Sequence, residues 1–205
     1  MARKRAPGFE AQREDILAAA ARLFADQGFS ATSMNQVAEA CGVAKPTLYH
    51  YFQDKQALLA QICDEHVHAL LALVEEVHAE RLAPEAQLRA LIERFTRAYA
   101  DAQAEHRVLT SEVKFLDAEL RGRLLDVERR VVAEFAGVLC RLRPELRDAN
   151  LHKPLTMLLF GMINWTFTWL RPDGDLSHEA IAALVGDLFF GGLGAVQARQ
   201  PALMQ

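Results

Sequence analysis

The chain has 205 residues, a formal net charge of −4 and 51% apolar residues. This composition supports one large or two small cores and excludes an intrinsically disordered chain. The acidic balance also excludes a protein that coats nucleic acid through a general excess of positive charge. Residues 1–60 carry seven basic and six acidic side chains, and the remainder carries sixteen and twenty-one. Such a division suits a small nucleic-acid-binding module attached to an acidic body.

Three cysteines, Cys41, Cys63 and Cys140, are widely spaced along the chain. No two of them have metal or redox spacing, so we expect neither a disulfide framework nor a metal site. The N-terminus lacks the apolar run of a signal peptide, and the longest apolar stretch, 155–170, is too short to span a membrane. We therefore expect a cytoplasmic protein with no membrane partner and no cofactor.

Apolar residues recur at helical spacing along almost the whole chain, and no run alternates as a half-exposed strand would. Gly28 and Gly42 are suited to end helices, and Pro46 is suited to open one. Asp54 is placed to cap a long helix, and Pro144 breaks a later one. These signals predict an all-α fold of about nine helices. The expected helices cover roughly residues 9–24, 33–41, 46–51, 54–74, 84–104, 107–116, 118–142, 151–170 and 177–198.

The segment 33–51 has the pattern of a helix-turn-helix. Val37 and Cys41 are one helical turn apart and face inward, and Gly42 allows a tight turn. Leu48 anchors the second short helix. This spacing presents the second helix to a DNA major groove. A plain helical hairpin with a solvated polar face fits the periodicity equally well.

Polar side chains are expected on the outer face of this second helix. Lys45 and Thr47 lie near its start, where base edges are normally contacted. Tyr49 and His50 suit hydrogen bonds to phosphate, as do the helix N-termini beside Thr32 and Lys55. The complete set expected to contact DNA is Thr32, Ser33, Lys45, Pro46, Thr47, Tyr49, His50 and Lys55.

The segment Gly28–Leu59 closely resembles the DNA-binding domain of the TetR family of repressors, over about the first quarter of the chain. Ala44 departs from the Ser that is often found at its position. The resemblance implies a DNA-binding domain at 1–54, a helical effector-binding and dimerisation domain at 55–205, and a ligand-responsive repressor without catalytic activity. It is carried by Thr32-Ser33, Ala38, Gly42, the 48–52 run Leu-Tyr-His-Tyr-Phe, and Lys55.

Members of this family typically dimerise through their last two long helices, and the segment 176–196 carries a wide apolar face. We expect a homodimer on a palindromic operator whose half-sites are about one helical turn apart, roughly 34–36 Å. Burial of this face within one chain is the alternative. The expected interface residues are Leu158, Ile163, Ile181, Leu184, Val185, Leu188 and Phe189.

The segment 160–177, FGMINWTFTWLRPDGDLS, resembles a signature of TetR-type regulators that respond to coenzyme A thioesters and control fatty-acid, sterol or aromatic-acid degradation. Leu170 stands where a second aromatic residue is frequent. The resemblance implies an apolar tunnel for the acyl group, two tryptophans for the pantetheine arm or adenine, an amide partner and a phosphate-binding Arg. The expected effector-binding residues are Phe95, Tyr99, Val113, Leu116, Phe135, Phe160, Asn164, Trp165, Trp169 and Arg171.

Three other interpretations compete with this one. Trp165 and Trp169 are equally suited to an interface core, and a promiscuous aromatic pocket would indicate a drug-sensing regulator. An enzyme that processes acyl-CoA is the remote alternative, because no set of nucleophile, base and orienting residue is evident.

His66, His68 and His78 have no acidic or Cys partner at metal-ligand spacing, so we interpret them as solvated or half-buried.

Overall fold

The computed structural model describes residues 7–170 and 175–197, and within them it is all-α, as predicted. Ten α-helices lie in these residues, joined by short turns. They are α1 (Pro7–Gln27), α2 (Met34–Ala40), α3 (Lys45–Tyr51), α4 (Lys55–Ala79), α5 (Pro84–Asp101), α6 (Gln103–Glu112), α7 (Ala118–Leu142), α8 (Glu145–Asp148), α9 (His152–Asn164) and α10 (His178–Leu193).

The structure differs from the predicted helices at three places. The short helix α8 follows Pro144, where the sequence analysis expected only a break. Helix α6 begins at Gln103 and gives way to a 3-10 turn at Val113–Phe115. Helix α9 ends at Asn164, and the expected helix to residue 170 continues as a 3-10 turn.

Two threonine hydroxyls explain the tightened end of α9. The hydroxyl of Thr166 donates to the carbonyl of Ile163, and that of Thr168 donates to the carbonyl of Trp165, both at 2.7 Å. Hydroxyls that bond carbonyls three residues back compete with the α-helical pattern and favour a 3-10 turn. Trp165 therefore begins a 3-10 turn instead of continuing the α-helix.

The chain forms two compact units. The first unit contains the described residues of Met1–Val67 and Ala102–Leu125, and the second contains those of His68–Asp101 and Asp126–Gln205. Helix α4 contributes residues to both. Because a later segment completes the first unit, sequence order alone does not define it.

Within the first unit, α1 packs against α2 and α6, and α2 packs against α3. Each of these helices turns its apolar side chains, which recur at helical spacing, toward the core of the unit, because burial of apolar surface is favourable. The principal buried residues are Ile16, Ala20, Phe24, Val37, Leu48, Leu58, Leu59, Ile62, Val108 and Leu109.

Within the second unit, α5 packs against α9 and α10, and α9 packs against α10. The core is rich in large apolar side chains, among them Leu88, Leu91, Ile92, Phe95, Phe135, Val138, Leu139, Leu146, Leu159 and Ile163. This core also holds four of the aromatic residues that the sequence analysis assigned to an effector, namely Phe95, Tyr99, Phe135 and Phe160.

Helix α4 is long and apolar enough, at a mean hydropathy of 1.4, to meet the length and composition of a membrane-spanning helix. Half of that apolar window is buried inside the protein. Buried side chains such as Leu59, Val67 and Val74 belong to the cores described above. These features are those of a core helix.

Candidate functional site

A tight turn sets the geometry between α2 and α3. Gly42 has a φ of +66°, a left-handed conformation that is costly for other residues. The N–H of Gly42 donates to the carbonyl of Glu39, and the N–H of Val43 donates to the carbonyl of Ala38, both at 3.0 Å. Ala38 is buried, consistent with the small residue expected there. The structure therefore contains the two short helices and turn of a helix-turn-helix.

Helix α2 begins with a capping box. The hydroxyl of Ser33 accepts a hydrogen bond from the N–H of Gln36, and the Gln36 side chain accepts one from the N–H of Ser33 at 2.8 Å. These bonds satisfy donors that the first turn of a helix leaves open. Sequence analysis missed Gln36, although the spacing Ser-x-x-Gln is the signal that finds such a cap.

Helix α3 begins without a side-chain cap. Ala44 occupies its N-cap position, and Pro46 lies in the first turn, where its missing N–H costs little. Lys45 and Pro46 are exposed, and Thr47 is half-exposed. The start of α3 is thus available to a partner, as base contacts would require.

Three other DNA-contact candidates, Tyr49, His50 and Ser33, are also exposed. Tyr49 is 43% exposed, and the ammonium of Lys45 lies 6.0 Å from the centre of its ring. His50 is exposed and lies edge-on to Phe9 of α1, with ring centres 6.2 Å apart. Ser33 is exposed at the N-terminus of α2. Ser33, Tyr49 and His50 are therefore all exposed on the first unit, as DNA contacts would require.

Thr32 and Lys55 are engaged inside the first unit. Thr32 is buried, and its hydroxyl donates to the carbonyl of Gly28 at 2.9 Å. The ammonium of Lys55 donates to the carbonyls of Phe29 and Thr32, at 2.6 and 2.7 Å. Their side chains therefore hold the loop before α2.

The aromatic candidates form a buried cluster in the second unit. Phe135 lies 4.9 Å from Phe95 and 4.7 Å from Phe160, measured between ring centres. Tyr99 lies 5.9 Å from Phe95, edge to face. Burial raises the pKa of Tyr99, and the nearby Glu128 raises it further. Partial burial also raises the pKa of the half-buried Glu128.

Two other members of the expected tunnel belong elsewhere. Val113 begins the 3-10 turn after α6, and Leu116 is buried at the end of that turn, both in the first unit. Only the four aromatic residues are brought together by direct ring contacts. Arg171, the expected phosphate partner, lies outside the described residues.

An apolar groove of about 580 Å³ crosses the surface of the second unit. Trp165 and Trp169 line it, with 66% and 53% of their surface exposed. The expected interface residues Leu158, Ile181, Leu184, Val185 and Leu188 share this groove, whereas Ile163 and Phe189 are buried in the core. Sequence analysis missed Met157 and Met162, although their helical spacing from Leu158 and Trp165 was the available signal.

In the chain, Asn164 lies between Phe160 of the aromatic cluster and Trp165 of the groove. Its side-chain oxygen is buried and has no hydrogen-bond partner within the described part of the chain. A buried amide oxygen without a partner costs free energy, which a ligand donor would relieve. This is the position predicted to bind the amide of an effector.

A histidine pair lies inside the first unit. The Nε2 of His66 is 3.3 Å from the Nδ1 of His106, and burial lowers the pKa of His66 to about 4 and that of His106 to about 3. Beside His66, a groove of about 280 Å³ is lined by Glu14 of α1, Glu65 of α4 and Glu105 of α6. Among residues 7–170 and 175–197, no cluster of three or more His, Cys, Asp or Glu is placed to hold a metal ion.

The fold and the outer surface of α2 and α3 define a helix-turn-helix DNA-binding protein. The model of the bacterial regulatory proteins, tetR family, matches residues 16–62. The model of the tetracyclin repressor-like C-terminal domain matches residues 81–193, more than half of the chain. The chain belongs to the TetR family of transcriptional regulators, and it is a DNA-binding repressor and not an enzyme.

Known proteins resemble the chain over most of its length. The HTH-type transcriptional repressor KstR2 of Rhodococcus jostii (strain RHA1) is 28% identical, over 91% of this chain and 93% of that protein. A TetR-family regulator from Bordetella parapertussis 12822 is 34% identical, with a TM-score of 0.86, over 92% of this chain and 99% of that one.

A second solved structure contains ligands. AibR in complex with isovaleryl coenzyme A and operator DNA is 25% identical, with a TM-score of 0.74, over 86% of this chain and 97% of that one. This likeness accords with the resemblance to thioester-responsive regulators noted in the sequence.

Proposed function

We propose that a coenzyme A thioester releases this repressor from its operator, and that the repressor controls an acyl-CoA or aromatic-acid degradation pathway. The observation that carries the proposal is the buried, unpartnered oxygen of Asn164, next to the exposed Trp165. The pantetheine arm of such a thioester supplies amide N–H donors for that oxygen and an apolar chain for the indole rings. The similarity to AibR, whose structure contains isovaleryl coenzyme A, supports the same class of effector.

The acyl group would occupy the aromatic cluster of Phe95, Tyr99, Phe135 and Phe160. The four rings are buried and in mutual contact, so a ligand must displace or reorient at least one of them. Arg171 remains a predicted contact. Release then requires only that the thioester bind the DNA-incompetent state more tightly, typically by about 1–3 kcal/mol.

Ligand screening tests the effector class. We expect isovaleryl-CoA and longer or aromatic acyl-CoAs to raise the melting temperature and displace a fluorescent operator, with free coenzyme A and the free acids as controls. A thioester at 100 times its dissociation constant adds about 2.7 kcal/mol to stability. Stabilisation by planar cationic drugs, with no response to any thioester, would overturn the proposal in favour of a drug sensor.

Trp165→Ala tests the site itself. We expect operator affinity to stay near that of the wild type, while the thioester concentration needed for release rises about tenfold or more. Trp169→Ala is a second variant, at the end of the same turn, for which we expect the same result. A monomeric Trp165→Ala protein would show instead that this indole is part of an interface.

We propose that the aliphatic residues lining this groove, among them Leu158, Leu184 and Leu188, form the homodimer interface, whereas Trp165 and Trp169 are the residues proposed for the effector. Solvent-exposed apolar patches of this kind are unusual in monomers, and Leu158, Leu184 and Leu188 are each about half or more exposed. A two-fold dimer would present two copies of α3 to successive major grooves of a palindromic operator. A cytoplasmic location and a DNA-binding domain at 1–54 with an effector-binding and dimerisation domain at 55–205 complete the proposal.

Leu188→Glu tests the interface. A charge in the middle of the groove must be buried on dimerisation, so we expect the dimer dissociation constant to rise by about a hundredfold or more. Light scattering after size exclusion measures the oligomeric state, and operator affinity should fall with it. Leu176→Glu is the matched control, because Leu176 is exposed in the second unit but does not line the groove. Equal effects of the two variants would contradict the assignment.

A further inference from the structure

The loop 28–32 connects α1 to the helix-turn-helix, and we call it the entry loop. Its first residue, Gly28, has a φ of +83° and its N–H donates to the carbonyl of Phe24, which ends α1. Its last residue, Thr32, directly precedes the capping residue of α2. The conformation of the entry loop therefore sets where α2 begins.

The end of α6 binds the entry loop through one charge-assisted hydrogen bond. The backbone N–H of Phe29 donates to Oε2 of Glu112 at 2.9 Å, and the two residues are 83 positions apart in the chain. Glu112 is half-buried, so solvent competes less strongly for its carboxylate than at an exposed site. Since Phe29 is itself buried, loss of the carboxylate would leave its N–H without this acceptor.

The 3-10 turn after Glu112 binds the same loop through a ring. Phe115 stacks on Phe29 with ring centres 5.4 Å apart and an angle of 25° between the planes. The carbonyl of Phe115 accepts a hydrogen bond from the side-chain amide of Gln56 at 2.8 Å. The turn is thus fixed between the entry loop and the first turn of α4.

Lys55 of α4 also binds the entry loop. Its ammonium donates to carbonyls of the entry loop and lies 4.3 Å from the centre of the Phe29 ring. Glu112 holds the N–H of Phe29, and Lys55 holds the carbonyl of the same residue. Both polar groups of one peptide residue are therefore held by charged side chains from other helices.

We propose that Glu112 is a positioning residue for operator recognition. It does not contact DNA; it acts through Phe29 and the entry loop, whose position sets the start of α2 and thus the presentation of α3. The DNA-binding surface consequently depends on α6 and the turn at Val113–Phe115, which belong to the same compact unit although they lie far along the chain.

Two variants separate this role from the simple effect of a negative charge. Glu112→Ala removes the acceptor, whereas Glu112→Gln removes the charge but keeps an oxygen that accepts from the N–H of Phe29. If Glu112 acted only by repelling phosphates, both variants would bind DNA more tightly. A positioning role predicts that Glu112→Ala weakens operator binding, whereas Glu112→Gln binds the operator nearly as tightly as the wild type.

The experiment uses the full chain and measures its affinity for operator and for scrambled DNA by fluorescence anisotropy. The temperature is one at which circular dichroism shows that each variant is folded. We expect Glu112→Ala to weaken operator binding by about tenfold and binding to scrambled DNA by less than about threefold. Glu112→Gln should recover operator binding to within about threefold of the wild type. Glu119→Ala is the matched control, because Glu119 is an exposed acidic residue of the same unit.

Three results would overturn the proposal. One is an operator affinity of Glu112→Ala within about threefold of the wild type. Another is tighter binding of DNA by both variants, which would indicate a charge effect only. The third is an equal loss for operator and scrambled DNA, which would indicate general damage to the fold. Phe115→Leu provides an independent check, because it keeps Glu112 but removes the ring stacked on Phe29, and it should also weaken operator binding selectively.

Discussion

The contacts that stabilise the first unit internally differ in kind from those that stabilise the second unit internally. In the first unit, specific polar contacts fix short elements: the Ser33 capping box, the Glu112 bond to Phe29 and the Lys55 bonds to the entry loop. In the second unit, large rings and aliphatic side chains form the core. The second also carries all but one of the exposed large apolar side chains of the described residues, between Met157 and Leu188.

This difference reflects what each unit has to recognise. A DNA-binding surface must hold donors at fixed positions relative to base edges, which requires short elements with defined ends. An apolar effector or a second subunit is recognised through area and shape, which a core and an open groove provide. Hydrogen bonds therefore dominate where direction matters, and packing dominates where volume matters.

The largest expected effect concerns the packed unit. Phe135 is fully buried between Phe95 and Phe160, so Phe135→Ala should leave a cavity and lower the free energy of unfolding by about 3–5 kcal/mol. Urea unfolding measures this loss, with Phe135→Leu as the milder control. Operator affinity of the folded protein should stay within about threefold of the wild type. If Phe135→Ala lowered stability only slightly but weakened operator binding, the core of the second unit would not serve mainly to stabilise that unit, contrary to the comparison above.

The next effect concerns the buried histidines of the first unit. In the unfolded chain His66 has an ordinary pKa near 6.5, whereas burial lowers it to about 4 in the folded protein. The unfolded state therefore binds more protons below pH 6.5, and stability falls as the pH decreases toward 4. From pH 7 to pH 5 we expect His66 alone to account for a loss of about 2 kcal/mol.

Denaturation at several pH values checks this loss. His66→Gln should flatten the pH dependence, since glutamine does not titrate. His68→Gln is the matched control, because His68 lies on the same helix but is exposed. An unchanged slope in His66→Gln would show that His66 does not govern the response, and would assign it to the neighbouring His106, whose pKa burial also lowers.

The smallest effect concerns the helix cap. Ser33→Ala removes the acceptor for the N–H of Gln36 and should lower the free energy of unfolding by about 1 kcal/mol. Ser33→Thr keeps the hydroxyl and should restore most of it. Thermal denaturation measures both. If Ser33→Ala leaves stability unchanged but weakens operator binding, the hydroxyl contacts DNA and contributes little as a cap.

Local signals were sufficient for much of the fold. Gly42, Pro46 and Asp54 mark helix ends because each has a backbone or capping property that acts within a few residues. The switch to a 3-10 turn at Trp165 depends on which carbonyl a threonine hydroxyl selects, and helical periodicity does not encode that choice. The helix α8 is too short to give a periodic pattern.

The candidate site was predictable only in part, for a similar reason. Exposure of Lys45 follows from its place at the start of a helix, but the burial of Thr32 does not, since its hydroxyl bonds depend on the folded loop. The contact between Phe29 and Glu112 joins residues 83 positions apart, and no local pattern marks it. Contacts of this length are set by the packing of α1 against α6.

The open groove also affects how the protein is made. Until a newly synthesised chain meets a second one, Leu158, Leu184 and Leu188 remain in contact with water, and such a face favours aggregation. Under the proposed dimer, stability rises with protein concentration by mass action. A cell holding few copies of this repressor would therefore have less of it folded and able to bind its operator, so the quantity synthesised acts as a control in its own right.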